Sequence, residues 1–334
     1  MNIKKGGYID RFLQQRLQYY HMKWSRSSLI ISFAVIAVLS LVASIISFKI
    51  ASNAYDHVIV YDGWDYTDSS CHVANATEGR VCMLNFTITK DVSLPLNVYY
   101  ELDNFYQNHR EYINSVDYDQ LGGADLDGKT LESSCGSKTY ADAAATKVLV
   151  PCGYIANSFF NDVFTLRTPN LTLNEHDISY APDRSRFKNP QGYGQPSTTR
   201  QYIYETFPQI PKDRSDDPTK SNFYGGGVED EHFIVWMRLA GFPRFRKLYG
   251  RLEGGELHKG DVVQFEVQSN FEVSTFKGRK ALVLATDNGL GGKNYGLGIA
   301  FAISAGLSFV LVLGIIIAGM TCPSILPVNG GKFD

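Results

Sequence analysis

Two stretches of this chain carry no charge: residues 27–48, SSLIISFAVIAVLSLVASIISF, held between Arg26 and Lys49, and residues 295–321. At 1.5 Å per residue the first makes a helix of about 33 Å, enough to cross a hydrocarbon core of about 30 Å. A helix buried in a soluble core keeps a polar stripe. Here the polar groups of the first run are serines, which can bond back to their own helix, and Ser40 and Ser44 share one face. A signal peptide has a shorter apolar region that ends at a cleavage site. Both runs therefore predict membrane-spanning helices. In the second, Gly298, Ala302, Gly306, Gly314 and Ala318 follow an i+4 series broken at Val310, which lets other helices approach closely. The series drifts around the helix, so it favours more than one neighbour.

Between the runs the period changes to two. In residues 81–89, Cys82, Leu84, Phe86 and Ile88 point one way and Met83, Asn85, Thr87 and Thr89 the other. Leu96, Val98, Tyr100 and Leu102 repeat the alternation, and residues 91–95 supply turn chemistry for a hairpin. Later strands are predicted over 233–239 (Phe233, Val235, Met237 and Leu239 inward), 263–269 (Val263, Phe265 and Val267 inward) and 280–285. Residues 151–164 suit a short helix after a pinned turn. Residues 182–218 hold six of the twelve prolines and read as an irregular arm. The prediction is one mostly antiparallel-β (α+β) domain with two disulfides between two transmembrane α-helices, its first and last strands adjoining because both ends return to one membrane face. Ahead of the first helix, Phe12, Leu13, Leu17 and Tyr20 mark one face of a short amphipathic helix.

Charge orients the chain. Residues 1–26 hold six Lys and Arg against one Asp, whereas the formal charge of the whole is -2. A basic arm directly before a membrane helix places the N-terminus in the cytoplasm. The divisions are then a cytoplasmic tail over 1–26, helices over 27–48 and 295–321, a lumenal or extracellular domain over 49–294, and a cytoplasmic tail over 322–334. Four of the five cysteines, Cys71, Cys82, Cys135 and Cys152, fall in that domain, where disulfides persist. Three pairings are open, and the sequential one, which closes short loops, is preferred. Zinc would call for C-x-x-C pairs that are missing. Cys322 suits a free thiol or palmitoylation site. The sequons at Asn75, Asn85 and Asn170 all lie between the helices.

The chain has no H-E-x-x-H, G-x-S-x-G, phosphate loop or dinucleotide fingerprint, so neither an enzyme nor a cofactor or metal is predicted. Asp125-Leu-Asp127-Gly128 lacks the third acid and closing Glu of a calcium loop and reads as a solvated turn. Residues 229–232, Glu-Asp-Glu-His, read as an acidic surface turn. Residues 99–110, YYELDNFYQNHR, predict a buried polar network, with a carbohydrate-binding or catalytic cleft as the rarer alternative. Residues 242–249 interleave Arg244, Arg246 and Lys247 with Phe245 and other aromatics; on the lumenal side that excludes RNA and suits a partner interface or internal cation-π and salt-bridge contacts. The classes left are an accessory subunit of a larger membrane protein, a subunit of a two-helix ligand-gated channel, and a lumenal receptor or ectoenzyme. The channel class tends to carry more disulfides and ionisable groups in its helices.

Five segments, FLQQRL (12–17), YYELDNFYQNHREY (99–112), PCGYIANSFFND (151–162), WMRLAGFPRFRKLYG (236–250) and GGKNYGLGI (291–299), resemble in sequence and order the β-subunit family of phospholipid flippases, the ligand-effect-modulator or cell-division-cycle-fifty family. The resemblance covers nearly the whole length. It departs in the Gly-Ser after Cys135 and in Trp24-Ser-Arg, which lacks the family's proline. It implies two helices, a glycosylated disulfide-bonded lumenal domain, and a type IV P-type ATPase as heterodimeric partner that does the chemistry of aminophospholipid translocation. This chain would chaperone the ATPase out of the endoplasmic reticulum and stabilise it, among membrane lipids and without nucleic acid, in the endoplasmic reticulum, Golgi/endosomal or plasma membrane. Contacts with the partner are expected at Phe12, Arg244, Phe245, Arg246, Lys247, Gly298, Ala302 and Gly306.

Overall fold

A computed structural model describes residues 12–13, 25–74, 79–212, 226–289 and 291–321. In chain order, helix α1 (Arg26–Asn53) leads to β1 (Asp56–Gly63), β2 (Arg80–Thr87), β3 (Leu96–Asp103), the short α2 (Arg110–Asn114), α3 (Gly128–Cys135), β4 (Val148–Val150), β5 (Val163–Leu166), β6 (Thr172–Asn174) and β7 (Arg200–Tyr202). Helix α4 (Glu231–Met237), β8 (Phe245–Glu253), β9 (Val262–Ser269), β10 (Arg279–Ala285) and helix α5 (Gly296–Thr321) follow, with single helical turns between some of these elements. The chain divides into two compact units, one holding α1 and α5 and the other residues 54–292.

Helices α1 and α5, 28 and 26 residues long, are apolar and long enough to cross a membrane. They run antiparallel, with Arg26 Nη1 donating to the Gly319 carbonyl at 3.2 Å near one end and Phe48 against Tyr295 near the other, ring centroids 6.0 Å apart. Covered positions step by three and four along both helices, through Ala37, Ser40, Ser44, Ser47 and Ala51 on α1 and Gly298, Phe301, Ala305, Ser308 and Val312 on α5. Such alternation is the seam of a left-handed helix pair. Serine hydroxyls are its polar contacts: Ser40 Oγ meets Ser304 Oγ at 3.2 Å, and Ser44 Oγ donates to the Gly298 carbonyl at 2.9 Å. Between apolar faces each such bond is worth about 0.6 kcal/mol.

In the second unit the described strands form a five-stranded antiparallel sheet in the order β1-β10-β3-β8-β6, a three-stranded antiparallel sheet β2-β9-β5, and a parallel pair β4-β7. Strands β2 and β9 alternate as their sequences predict, with Cys82, Leu84, Phe86, Val263, Phe265 and Val267 buried and the residues between them facing out. Leu96, Val98, Tyr100 and Leu102 are likewise buried on β3. The inner faces meet through aromatic contacts: Tyr61 against Phe164 at 5.9 Å, Phe164 against Tyr249 at 4.8 Å, and Tyr100 stacked on Phe160 at 4.0 Å. Strand β1 pairs with β10, Asp56 opposite Ala285, so the first and last strands do adjoin.

Two expectations fail. Strands β2 and β3 form no hairpin: β2 pairs with β9 while β3 lies between β10 and β8, so residues 91–95 carry the chain from one sheet to the other. Residues 233–239 begin as helix α4 and contain no strand. A five-residue apolar run, FIVWM, fits either period, and the cap decides it, because the Asp230 carboxylate accepts from the Phe233 amide at 3.0 Å. Residues 151–164 hold one short 3₁₀ turn, Ala156–Ser158, before β5.

Candidate functional site

A lysine sits between the two sheets with no access to water. Lys280, which with Arg279 precedes the apolar run 281–285 of β10, is fully buried; its ammonium lies 2.8 Å from Asp162 and 3.2 Å from Asp62, and donates to Ser269 Oγ at 2.7 Å and the Phe271 carbonyl at 2.6 Å. A bulge in β1 between Val60 and Asp62 turns both Tyr61 and Asp62 inward. Tyr61 donates to Asp162 Oδ2 at 2.6 Å, and burial, reinforced by the Asp162 carboxylate, holds its phenol well above the usual range, so it remains a donor. Asp162 Oδ1 takes the Phe271 amide at 2.6 Å, and Asp62 takes the Gly63 amide at 2.8 Å and meets His72 Nδ1 at 2.9 Å. Every buried charge here is paired and hydrogen-bonded, the condition under which charges are tolerated in a core.

A disulfide pins the neighbouring loop: Cys71, beside His72, joins Cys82 on β2 with Cα atoms 5.3 Å apart. Cys135 at the end of α3 joins Cys152, with Cα atoms 5.8 Å apart. Asn85 is exposed on β2, and Asn170 is exposed in the turn before β6 with a φ of 65°, which asparagine tolerates. Asn75 and Cys322 lie outside the described residues, as does the N-terminal amphipathic segment apart from Phe12 and Leu13, which are helical and exposed.

Segment 242–249 divides its residues between inside and outside. Phe245 is buried at 9% exposure, and Lys247, at 6%, donates to the carbonyls of Val235, Trp236 and Arg238 at the end of α4. Burial, with the Arg238 charge adding to it, pulls the Lys247 ammonium down to about 7. Arg244 and Arg246 clasp the buried Glu101 carboxylate, at 2.7 and 2.6 Å, and Arg246 also pairs with Asp56 at 2.6 Å. Arg244 keeps 62% of its side chain exposed and Phe242 is 77% exposed, so these two offer the segment's outer surface.

The acids at 229–232 do not form a surface turn. Glu231 is buried and accepts from the Asp177 amide at 2.9 Å and the Ser179 hydroxyl at 2.7 Å, Asp230 caps α4, and His232 meets Glu175 at 2.8 Å. They tie segment 175–179 to α4. Asp127 caps α3 by accepting from the Thr130 amide at 2.9 Å, and Asp125 pairs with Arg200. Residues 99–110 form the predicted buried network only as far as Glu101 and Gln107; Tyr106, Asn108, His109 and Arg110 are exposed.

On α5 the small-residue series splits. Gly298 faces α1, where an added Cβ would come within 3.2 Å of Phe48, whereas Ala302, Gly306 and Gly314 are exposed and a Cβ on either glycine would meet nothing within 4 Å among the described residues. Ser40 and Ser44, which share one face of α1, both contact α5. The sequence gives little sign of the Lys280 cluster: Arg279 and Lys280 read as a charged pair at the start of an apolar strand, and the partners at Asp62 and Asp162 lie 218 and 118 residues away.

Two long apolar helices in one unit and a disulfide-bonded antiparallel sheet domain in the other define the class, a two-helix protein of membrane type with one large domain between its helices. The model of the LEM3 (ligand-effect modulator 3) family / CDC50 family matches residues 31–324, and the chain belongs to that family. It is 31% identical to ALA-interacting subunit 3 of Arabidopsis thaliana, over 96% of this chain and 88% of the relative. It is 32% identical to cell cycle control protein 50A of Bos taurus, over 90% and 85%. It is also 34% identical to the phospholipid-transporting ATPase accessory subunit CDC50 of Chaetomium thermophilum, over 74% and 62%.

Proposed function

We propose that this chain is the non-catalytic accessory subunit of a phospholipid-transporting P-type ATPase, required for the ATPase to leave the endoplasmic reticulum and for its stability and activity in moving aminophospholipids to the cytoplasmic leaflet. The observation that carries the reading is family membership with relatives named as such accessory subunits. The structure supports it at the helices: α1 and α5 satisfy one another along one seam and leave the Ala302, Gly306 and Gly314 face uncovered, where a partner helix could pack closely. Arg244, beside the exposed Phe242, supplies the aromatic-cationic chemistry common at interface hot spots. In this reading both termini are cytoplasmic, the sheet domain is lumenal or extracellular, and Asn75, Asn85 and Asn170 carry glycans. Affinity purification from native membranes tests it: a P-type ATPase is expected in the eluate at a comparable molar amount, and recovery of the chain without one would sink the reading.

A further inference from the structure

Past the buried part of residues 99–110 the chain turns through Asn104 (φ 63°) and opens a dish of 320 Å³ beside α2. That volume is at the small end for ligand sites, about 300–1,000 Å³. Its floor is Phe105, edge-on to Tyr112 at 5.9 Å and to Phe276 at 5.4 Å. The walls are fixed: Tyr112 Oη bonds Ser158 Oγ at 2.8 Å, and Tyr154 Oη bonds Ser137 Oγ at 2.7 Å. At the rim Tyr106 is 54% exposed and Tyr154 37% exposed. Rings left wet in a concave site have unspent stacking area. The Tyr106 hydroxyl, the His109 imidazole and the Glu111 carboxylate also line or edge the dish, and their side chains make no hydrogen bond or ion pair among the described residues.

Among the described residues the lining contains no lysine or arginine, and its one formal charge is the Glu111 carboxylate, so phosphates and other anions are disfavoured. An organic cation would be best held by rings closing around it, but His109 and Glu111 are exposed and the rim stays open. A sugar needs one ring face to stack on and donors and acceptors for its hydroxyls, which phenol, imidazole and carboxylate supply. We propose that this dish binds a pyranose ring of a glycan, stacked against Tyr106 and hydrogen-bonded through its hydroxyls to Glu111 and His109.

The test uses the full-length chain in a detergent without a sugar headgroup, titrated with methyl α-mannopyranoside, methyl N-acetylglucosaminide and, separately, tetramethylammonium, and read by saturation-transfer NMR. At least one pyranoside is expected to bind. Tyr106→Ala should abolish the signal, Tyr106→Phe should keep most of it, and Glu111→Gln should weaken binding roughly tenfold, the loss of one charge-assisted hydrogen bond. Thermal unfolding of each variant checks the fold, which exposed side chains should leave intact. Parallel titrations with an oligomannose glycopeptide and with glucosylceramide vesicles tell a protein-borne sugar from a lipid-borne one, and binding of either that Tyr106→Ala removes supports the site. Binding of tetramethylammonium alone, sugar binding undiminished by Tyr106→Ala, or silence with every sugar would each overturn it. Loss of the sugar site would leave co-purification of an ATPase untouched, so this proposal and the accessory-subunit reading fail separately.

Discussion

Lys280 and Lys247 are both lysines withdrawn from water, held in opposite ways. Lys280 is neutralised by two carboxylates, so removing it leaves Asp62 and Asp162 buried without a counter-charge. Lys280→Met is expected to cost about 3–5 kcal/mol by chemical denaturation. Adding Asp62→Asn to that variant should recover part of the loss; a Lys280→Met protein of wild-type stability would refute the pairing. Among the described residues Lys247 has carbonyl acceptors but no carboxylate, and its folded value of about 7 lies well below the unfolded value of about 10.4. Between those values the unfolded chain binds the extra proton, so this group's contribution to stability rises with pH from about 7 toward 10. Below 7 the lysine is charged in both states and the cost of burying it is felt in full. Denaturation curves from pH 6 to 9 should show that rise in the wild type and a flatter profile in Lys247→Met, which also loses the donor for three carbonyls.

At the level of elements, the seam and the open face of α5 make separable predictions. Gly306→Leu meets open space in this chain, so the α1–α5 pair should survive while recovery of the ATPase falls several-fold in co-purification. Gly298→Leu would drive into Phe48 and disturb the pair itself, lowering the amount of folded chain. Equal recovery of the ATPase with Gly306→Leu would remove that face from the interface. Cys71→Ser or Cys82→Ser opens a cross-link that ties β2 to the His72 loop, a change of about 2–4 kcal/mol. Export of the complex to the cell surface should drop, and unchanged export with unchanged lipid uptake would count against the role given to this bond. Much of this level was legible in the sequence. The helices announced themselves by length, and β2, β3, β9 and β10 by period two or by apolar runs. Pairing was not legible: residues 91–95 have the chemistry of a turn, yet which strand lies beside β2 depends on β9, some 180 residues on, and a local pattern cannot report that. Helix α4 was misread because its five apolar residues suit both periods, and the deciding information was a single preceding carboxylate, Asp230. The dish beside α2 lay half in view, as aromatic and amide residues whose division into inside and outside follows from the turn at Asn104.

For the whole molecule, the large sheet and the helix pair solve different problems. The domain buries aromatic rings between two sheets and closes its polar core with paired charges, and the helices use serine and glycine where two apolar surfaces must meet. In the accessory-subunit reading that leaves the outer face of α5 and the Phe242–Arg244 corner for the partner. Digestion with a glycan-removing enzyme should shift the chain's mobility in steps, one for each occupied sequon, and Asn85→Gln should remove one step if its exposed place on β2 bears a glycan. No shift in the wild type would contradict the lumenal placement. The pairing of β1 with β10 has a mechanical consequence. Asp56 and Ala285, where the chain enters and leaves the domain, lie opposite one another across an antiparallel ladder. A force drawing these two points apart would load that ladder one rung at a time, as a zipper, and would meet far less resistance than a pull along the strands. Tension on the chain just outside this domain would therefore be felt first in the β1–β10 pairing.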